Sequence, residues 1–279
     1  MNILDKLISI VLPVYNGAEF LNQSIDSIIS QTYTNWELLV LDDCSTDNTP
    51  NIVKEYVKKD SRIHYYRNEQ NLKLPGNLNK GFSLSKGDYL TWTSDDNIFH
   101  HNALEVMYKT ITSQKVDLVY ASYNIIDEKG NVIKYLLSDK KWKQHIIGSN
   151  VVGACFMYSK KVYCDIGEYD DKLFWLEDLD YWQRVLSKYE AYAISDILYD
   201  YRWHKDSLTA TKDPLVYGQR LEKMLLKNCK LYGKMDSETK YFFYKCLAKS
   251  YEYQSKAFPY KNKLRLYSAI TRIKIHFEK

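Results

Sequence analysis

The first hundred residues alternate between short continuous apolar runs and segments whose apolar side chains recur every three or four positions. The short runs predict strands, and the periodic segments predict helices. The predicted strands cover residues 8–13, 36–41, 63–67 and 89–93, and the predicted helices cover residues 18–31, 49–59 and 78–85. This alternation predicts an α/β fold with a mostly parallel sheet that helices cover on both faces.

Acidic side chains follow two of the predicted strands. Asp95 and Asp96 end the apolar and aromatic run that contains the fourth strand, and Asp43 follows the second strand. Ligands of open α/β sheets collect outside the carboxyl ends of the strands, so these acids are expected at one edge of the sheet. Paired carboxylates are typical of sites where Mg²⁺ or Mn²⁺ neutralises substrate phosphates. The alternative is a surface turn in which Asp95, Asp96 and Asn97 cap the next helix.

The turn after the first strand contains one glycine, Gly17, and lacks the G-x-G-x-x-G pattern of dinucleotide-binding folds. The phosphate-binding pattern G-x-x-x-x-G-K-[ST] is also absent from the sequence. A nucleotide would therefore be held through its base and ribose, with its diphosphate bound by a metal. Tyr15 offers a ring for base stacking, and Asp43 offers an acceptor for a ring N–H such as that of uracil.

The composition is that of an ordinary globular chain. Its 279 residues, with 45% hydrophobic content, suit one large domain or a domain with an appendage. The five scattered cysteines include no C-x-x-C pair, which argues against a disulfide framework or a zinc site and favours a reducing cytoplasm. The N-terminal residues lack a signal-peptide pattern, and no apolar stretch approaches the roughly 20 residues of a membrane span.

The net charge of +4 is unevenly distributed along the chain. Residues 220–279 contain 15 Lys and Arg against 5 Asp and Glu, a balance of +10, which leaves −6 for residues 1–219. Helices are predicted over residues 217–231, 241–253 and 262–277. We interpret residues 213–279 as a basic, Tyr-rich helical extension that docks peripherally on the cytoplasmic leaflet of the membrane. A helical cap that packs on the core, or a homodimer contact, explains the pattern equally well.

The order and spacing of these motifs resemble the family 2 glycosyltransferases of the GT-A fold, among them bacterial surface-polysaccharide and spore-coat polysaccharide transferases. The matching segments are residues 10–16, 31–33, 36–38, 42–47, 86–89 and 95–97. The resemblance covers residues 8–210. It implies a GT-A domain over residues 1–212, with a nucleotide-binding half (1–97), an acceptor half (98–212) and the helical extension beyond it.

The resemblance implies a donor site in the first half of this domain. It places Tyr15 against the base and Asp43 at the ring nitrogen. It places Asp95 near the ribose, and it assigns to Asp96 the Mn²⁺ or Mg²⁺ that bridges the two phosphates. The last residue of the family's D-x-D motif is replaced here by Asn97, which is therefore not expected to ligate the metal.

Other positions are implied more weakly. Pro13 belongs to the nucleotide-binding set, and Lys73 is the candidate substitute for a base-contacting arginine that the family has and this chain lacks. Gly153 is expected in the sugar and acceptor pocket, although glycines at strand entries are also ordinary turn residues. His204 is expected to bind the metal or a phosphate oxygen, and Arg202, or else Lys205, to neutralise the diphosphate. A histidine in a structural role is the alternative.

Asp178 is the candidate base that would take the proton from an acceptor hydroxyl in an inverting transfer. It resembles the acid of the family's Glu-Asp segment at the start of a helix, and we favour it over Glu177 and Asp180. Burial beside tryptophans would raise the pKa of Asp178, whereas the helix N-terminus would lower it. The alternative is an acid that only complements the helix dipole.

These observations predict a metal-dependent, inverting, hexosyltransferase-type enzyme of bacterial surface polysaccharide synthesis, such as that of capsule or O-antigen. We expect a nucleoside diphosphate sugar as donor, favouring a UDP-sugar, and a saccharide or lipid-linked saccharide as acceptor. We expect no nucleic-acid partner. A sugar nucleotidyltransferase and an inactive nucleotide-sugar binding module are the alternatives. The nucleotidyltransferase would need a glycine-rich basic loop near the first strand, and that loop is missing.

Overall fold

The computed structural model describes residues 6–232 and 237–255. The chain forms two compact units. The first, the sheet unit, comprises Met1–Lys140, Val152–Tyr169 and Tyr189–His204. The second, the helical unit, comprises Lys141–Val151, Asp170–Lys188 and Lys205–Lys279. The domain boundaries expected from the sequence, after residues 97 and 212, remain predictions and differ from the boundaries of these two units.

All strands of the described residues lie in the sheet unit. They are β1 (Ile8–Val14), β2 (Trp36–Asp42), β3 (Ile63–Arg67), β4 (Tyr89–Trp92), β5 (Ile98–Phe99), β6 (Leu118–Ile126), β7 (Val132–Leu136), β8 (Phe156–Ser159) and β9 (Ala191–Arg202). The α-helices are α1 (Leu21–Ile29), α2 (Thr49–Lys59), α3 (Lys73–Leu84), α4 (Ala103–Gln114), α5 (Trp142–His145), α6 (Lys160–Ile166), α7 (Glu177–Leu186), α8 (Pro214–Asn228) and α9 (Ser237–Ser255). Of these helices, α1 to α4 and α6 belong to the sheet unit.

The strands form one mixed sheet in the order β3-β2-β1-β4-β8-β6-β9-β5, with β7 paired to β6. The first four strands in this order are parallel to one another, as the alternation of strands and helices predicts. Strand β8 then runs antiparallel to both β4 and β6, whereas β6 and β9 are parallel. The expected α/β class is thus confirmed, and the antiparallel members lie in the second half of the sheet.

Both faces of the parallel half are covered. On one face, alternate residues of β1 (Ile8, Ile10, Leu12) belong to a buried core that includes α1 and α4. On the other face α3 approaches so closely that a Cβ added at Gly81 would lie 2.4 Å from a methyl group of Val11. Because side chains of a strand alternate between faces, this double cover explains why every residue of β1 and β2 is buried.

The predicted helix over residues 78–85 begins earlier than expected, at Lys73. Proline tolerates the first turn of a helix, so Pro75 does not prevent this start. The side-chain Oδ1 of Asn71 accepts the N–H of Lys73 at 3.0 Å and satisfies one N-terminal donor. Helix α2 and strand β3 have the predicted bounds.

In the helical unit a buried acid joins two helices. The Asp180 carboxylate on α7 accepts hydrogen bonds from Arg184 Nε at 2.9 Å, Asn228 Nδ2 at 2.9 Å and Lys227 Nζ at 3.2 Å. Lys227 and Asn228 belong to α8, the first helix of the predicted basic extension. The first helix of the predicted extension therefore packs against α7 of the same unit.

Helix α9 packs on α8 through the side chains of Tyr251 and Gln254, which both donate to Glu222. The two helices predicted over 217–231 and 241–253 are therefore confirmed with bounds of Pro214–Asn228 and Ser237–Ser255. The helix predicted over residues 262–277 lies outside the described residues. Among the helices that the structure describes, none is long and apolar enough to cross a lipid bilayer.

Candidate functional site

Hydrogen bonds tie together the loops that follow β1 and β2. The N–H of Asn16 donates to Ser45 Oγ at 2.9 Å, and Asn16 Oδ1 accepts the N–H of Thr46 at 2.7 Å. The N–H of Asp43 donates to the carbonyl of Val14 at 2.8 Å. The residues expected to hold the base therefore lie on two loops that fix each other at the carboxyl edge of the sheet.

The backbone is strained at these loops. Asn16, Cys44 and Lys73 have φ angles of 54°, 70° and 61°, in the left-handed region that non-glycine residues rarely adopt. Asn16 directly follows Tyr15, and Cys44 directly follows Asp43. Such strain persists only where the surrounding structure fixes it, and it clusters at functional sites.

Tyr15 and Asp43 have opposite environments. Tyr15 is 54% exposed, so its ring is accessible for stacking, whereas Asp43 is buried. Asp43 Oδ1 accepts hydrogen bonds from Asn68 Nδ2 and from the N–H of Leu72, both at 2.8 Å. Recognition of a base N–H by Asp43 would therefore rest on Oδ2. The neighbouring Pro13 is buried within β1.

Asn68 is a site residue that the sequence reasoning missed. Besides Asp43, its Nδ2 bonds Asn77 Oδ1 at 2.8 Å, and its Oδ1 accepts Lys80 Nζ at 2.6 Å. Asn68 follows β3 just as Asp43 follows β2, and this position after a parallel strand was the available signal. The network fixes the segment that leads to Lys73, the candidate substitute for the missing arginine.

Asp96 and His204 lie side by side although they are 108 positions apart in the chain. His204 Nε2 is 3.1 Å from Asp96 Oδ2. Asp96 Oδ1 is buried and has no hydrogen-bond partner among the described residues. A buried carboxylate oxygen without a donor suits Mn²⁺ or Mg²⁺, and the imidazole nitrogen beside it is a ligand that favours Mn²⁺ of the two.

The protein alone does not complete a metal shell in the part of the chain that the structure describes, where no three His, Cys, Asp or Glu side chains converge. Magnesium and manganese sites that bind nucleotides commonly combine one or two protein ligands with phosphate oxygens and water. The pair of Asp96 and His204 fits that composition.

Asp95 lies beneath the loop after β1. A Cβ added at Gly17 would fall 1.6 Å from Asp95 Oδ2, so a side chain at position 17 would displace this carboxylate. Burial and the charge of Asp96 raise the pKa of Asp95 to about 8. Burial also raises the pKa of Asp96, while His204 and Arg202 oppose that rise. Two adjacent carboxylates repel each other when both are ionised, and a bound cation would reduce that repulsion.

Arg202 is placed differently from the expected diphosphate contact. Its side chain is 1% exposed, and its Nε donates to the main-chain carbonyl of Asp96 at 2.9 Å. Its own N–H donates to Asn97 Oδ1 at 2.8 Å, which gives the buried Asn97 a structural partner. Gly153, in the same unit, has a φ of 69°, and a Cβ there would lie 2.7 Å from the ring of Tyr123.

The candidate base lies in the helical unit, in the first turn of α7. Asp178 Oδ2 accepts Asn150 Nδ2 at 2.7 Å, and Oδ1 accepts the N–H of Leu179 at 2.6 Å. Burial raises the pKa of Asp178 despite the opposing effects of these donors and of the Lys212 ammonium group. The rise on burial is therefore larger than the lowering by the backbone N–H groups at the start of α7. Asn150 and Lys212 were missed because their proximity to Asp178 has no sequence signature.

The two neighbouring acids of α7 differ from Asp178. Glu177 is buried, and its Oε2 has no hydrogen-bond partner among the described residues. Burial and the charge of Asp178 raise the pKa of Glu177 to about 8. Asp180 is fully buried and bonded to Arg184, as described above, which indicates a structural role. Trp175, two residues before Glu177, has a φ of 77°.

The chain is similar to known glycosyltransferases. Residues 9–167, more than half of the chain, match the model of the family described as Glycosyl transferase family 2. An uncharacterised glycosyltransferase of Methanocaldococcus jannaschii is 30% identical over 257 residues, which cover 86% of this chain and 87% of that protein. An uncharacterised glycosyltransferase of Rickettsia felis is 31% identical over 74% of this chain, which spans only 36% of the length of that relative.

A relative with a specific name and two solved structures are also similar to this chain. The Escherichia coli protein named UDP-Glc:alpha-D-GlcNAc-diphosphoundecaprenol beta-1,3-glucosyltransferase WfgD is 35% identical over 49% of this chain and 53% of its own. S. aureus TarS in complex with UDP-GlcNAc matches 88% of this chain and 81% of its own with a TM-score of 0.68 at 15% identity. The mannosyltransferase PcManGT of Pyrobaculum calidifontis, with GDP-Man and Mn²⁺, matches 98% of this chain and 81% of its own with a TM-score of 0.66 at 14% identity. At these identities the structural similarity shows a shared fold.

Proposed function

We propose that this chain, which belongs to glycosyl transferase family 2 and has the GT-A fold, transfers a hexose from a UDP-sugar to a saccharide hydroxyl with inversion. The observation that carries the proposal is the convergence of Asp96 and His204, at 3.1 Å, beside a buried Asp96 oxygen that lacks a hydrogen-bond donor among the described residues. The site is thereby suited to a nucleoside diphosphate whose phosphates bring a divalent cation.

The donor-binding residues in this proposal are Pro13, Tyr15, Asp43, Lys73 and Asp95. The exposed ring of Tyr15 stacks on uracil, and Asp43 accepts its ring N–H. Asp95 contacts the ribose. The proposal draws support from the fixed loops that present these residues and from the UDP-GlcNAc complex of TarS. A UDP-sugar also appears in the name of WfgD.

In this proposal Asp96 and His204 hold Mn²⁺ or Mg²⁺. The bound cation supplies Lewis-acid stabilisation of the charge that grows on the leaving diphosphate. The Mn²⁺ in the PcManGT complex supports the choice of metal. Asp96 offers both oxygens, one toward His204 and one without a protein donor among the described residues.

We assign the base to Asp178. Its raised pKa suits a group that must accept a proton near neutral pH, because a base is most effective when its pKa lies close to the working pH. Asn150 orients the carboxylate through the bond to Oδ2. Glu177, in the helical unit, and Gly153, in the sheet unit, are each proposed to contact substrate.

The proposed acceptor is a saccharide or lipid-linked saccharide of a bacterial surface polysaccharide such as capsule or O-antigen, at the cytoplasmic face of the membrane. The diphosphoundecaprenol acceptor in the name of WfgD supports the lipid-linked class. The positive balance of residues 220–279 supports peripheral contact with anionic lipid. We expect deletion of residues 258–279 to abolish binding to anionic liposomes. The oligomeric state of the full chain, measured in parallel, tests for a homodimer.

A thermal-shift screen of UDP, GDP, ADP and CDP, each with and without Mn²⁺, tests the donor and the metal together. We expect UDP with Mn²⁺ to raise the unfolding temperature by about 5 °C or more, because a ligand at a hundred times its Kd stabilises by about 2.7 kcal/mol. The variant Asp96→Ala should lose the increment that Mn²⁺ adds, and Asp171→Asn, at an exposed position, should keep it. Full metal-dependent donor hydrolysis by Asp96→Ala would refute the assignment.

A further inference from the structure

Arg202, the last residue of β9, is a buried cation whose guanidinium group has no carboxylate partner among residues 6–232 and 237–255. Its hydrogen bonds go to neutral acceptors instead. Nε donates to the carbonyl of Asp96 at 2.9 Å, and Nη2 donates to Gln23 Oε1 at 2.7 Å. Nη1 donates to the carbonyls of Asp127 at 3.1 Å and Glu128 at 3.0 Å. A buried charge is costly unless hydrogen bonds satisfy it, and these four bonds hold the guanidinium group in one fixed place.

The same guanidinium group leaves little capacity for a substrate. Of the five N–H donors of an arginine side chain, four are used by the protein acceptors named above. The side chain is also 1% exposed. A diphosphate ligand would normally be held by the exposed fork of an arginine, which presents two parallel donors.

Arg202 is connected to both proposed metal ligands. Its Nε bond fixes the main chain of Asp96, and its guanidinium carbon lies 4.5 Å from the centroid of the Phe20 ring. The same Phe20 ring lies 5.5 Å from the ring of His204, centroid to centroid. The backbone N–H of Arg202 bonds Asn97 Oδ1, so the residue after Asp96 is held as well.

We propose that Arg202 is a positioning residue that holds Asp96 and His204 in place for the cation and the diphosphate of the donor, and that it does not bind the diphosphate itself. This inference rests on the proposed function and changes the role expected for Arg202 from the sequence. Residues that orient metal ligands in this way contribute to metal affinity without touching the metal.

The test compares Arg202→Lys and Arg202→Met with Arg62→Lys as a matched control. Arg62 also stacks on an aromatic ring, 3.6 Å from the centroid of Trp36, and also donates to a carbonyl, that of Thr34 at 3.1 Å. It belongs to the same unit and contacts neither metal-binding candidate. Titration calorimetry with Mn²⁺ at saturating UDP, with UDP alone, and unfolding temperatures would be recorded for each protein.

We expect Arg202→Met to bind Mn²⁺ about 10–100-fold more weakly, which is typical when a residue that orients metal ligands is lost. Arg202→Lys should recover part of the affinity, because an ammonium group can still donate to the Asp96 carbonyl. UDP affinity without metal should stay within about twofold, since no phosphate contact is removed. Arg62→Lys should lower the unfolding temperature and leave Mn²⁺ binding unchanged, as a purely structural residue would.

Phe20→Leu provides a second test in case the Arg202 variants do not fold, because Phe20 is only partly buried and carries no charge. It should also weaken Mn²⁺ binding, by loosening His204 from Arg202. Wild-type Mn²⁺ affinity in Phe20→Leu and in either folded Arg202 variant would overturn the inference. A tenfold loss of metal-free UDP affinity in Arg202→Met would instead restore the direct diphosphate role. The wild-type titration tests the proposed function separately. If the unmodified protein bound neither UDP nor Mn²⁺, the proposed function itself would be wrong.

Discussion

The two units each contain a pair of adjacent acids, and the pairs are built differently. In the sheet unit, Asp96 has an imidazole nitrogen at 3.1 Å and an oxygen without a donor among the described residues. In the helical unit, both oxygens of Asp178 accept N–H groups, from Asn150 and from Leu179. In each pair burial raises the pKa of one member, Asp95 or Glu177, to about 8.

The neighbours of each acid pair, and not the pair itself, therefore indicate its chemistry. An oxygen without a donor beside a histidine is suited to a cation, because a metal supplies the charge that no N–H group supplies. A carboxylate held by two neutral donors is oriented but remains able to accept a proton. We therefore assign metal binding to the first pair and proton transfer to the second.

Asp178→Asn should produce the largest effect on turnover. It tests proton transfer by Asp178 separately from metal binding by Asp96. A general base contributes about 10²–10⁴ to a rate, so kcat for UDP release from a UDP-sugar should fall by that factor. Binding of UDP and Mn²⁺ should be unchanged, because those ligands are assigned to the other unit. Turnover is measured by coupled detection of UDP, and binding by calorimetry.

Asp171→Asn is the matched control for this experiment, since Asp171 is an exposed acid of the same unit. It should keep wild-type turnover. Wild-type kcat in Asp178→Asn would eliminate Asp178 as the base. Loss of Mn²⁺ binding in that variant would instead show that the two acid pairs cannot be assigned separate roles.

Much of the donor side could be predicted from the sequence because its signals are local. The apolar runs of β1 to β4 and the acids at their ends follow from strand periodicity and from the rule that parallel strands share a carboxyl edge. The order of β6, β8 and β9 could not be predicted in the same way. Their pairing depends on contacts between segments far apart in the chain.

The partners of the site residues were also beyond the sequence. Arg202 bonds the main-chain carbonyls of Asp127 and Glu128, and a carbonyl is present at every position, so it leaves no signature. Asn150 reaches Asp178 from 28 positions away in the chain. The sequence correctly predicted that Asp95 and Asp96 follow a strand and that Asp178 lies at the start of a helix. The pKa values of these acids depend on burial, which only the fold creates.

Asn150→Leu should shift the pH dependence of kcat/KM. The Asn150 donor lowers the pKa of Asp178, so its removal raises that pKa further. A base must be deprotonated to act, so activity is lost as the pH falls through this pKa, and the loss should begin at a higher pH in the variant. A pH–rate profile measures the shift.

The plateau at high pH should stay within about threefold of the wild-type value, because the base itself is retained. Ser149→Ala, at the adjacent exposed position, is the control and should leave the acid limb in place. An acid limb at the wild-type pH in Asn150→Leu would show that the 2.7 Å bond does not tune Asp178.

Glu177→Gln should have the smallest effect on turnover, because glutamine is neutral like the protonated acid, and its main effect should be on stability. The pKa of Glu177 is about 8 in the folded protein against an ordinary value of 4.5, so the folded state keeps a proton that the unfolded chain releases. Stability is therefore fully present below pH 4.5 and is lost as the pH rises toward 8. Glutamine cannot ionise, so the variant should unfold at the wild-type temperature at low pH and about 7 °C higher at pH 8. Unfolding temperatures of both proteins from pH 4 to pH 9 measure this difference, and a difference that does not change with pH would mean that Glu177 is ionised in the fold.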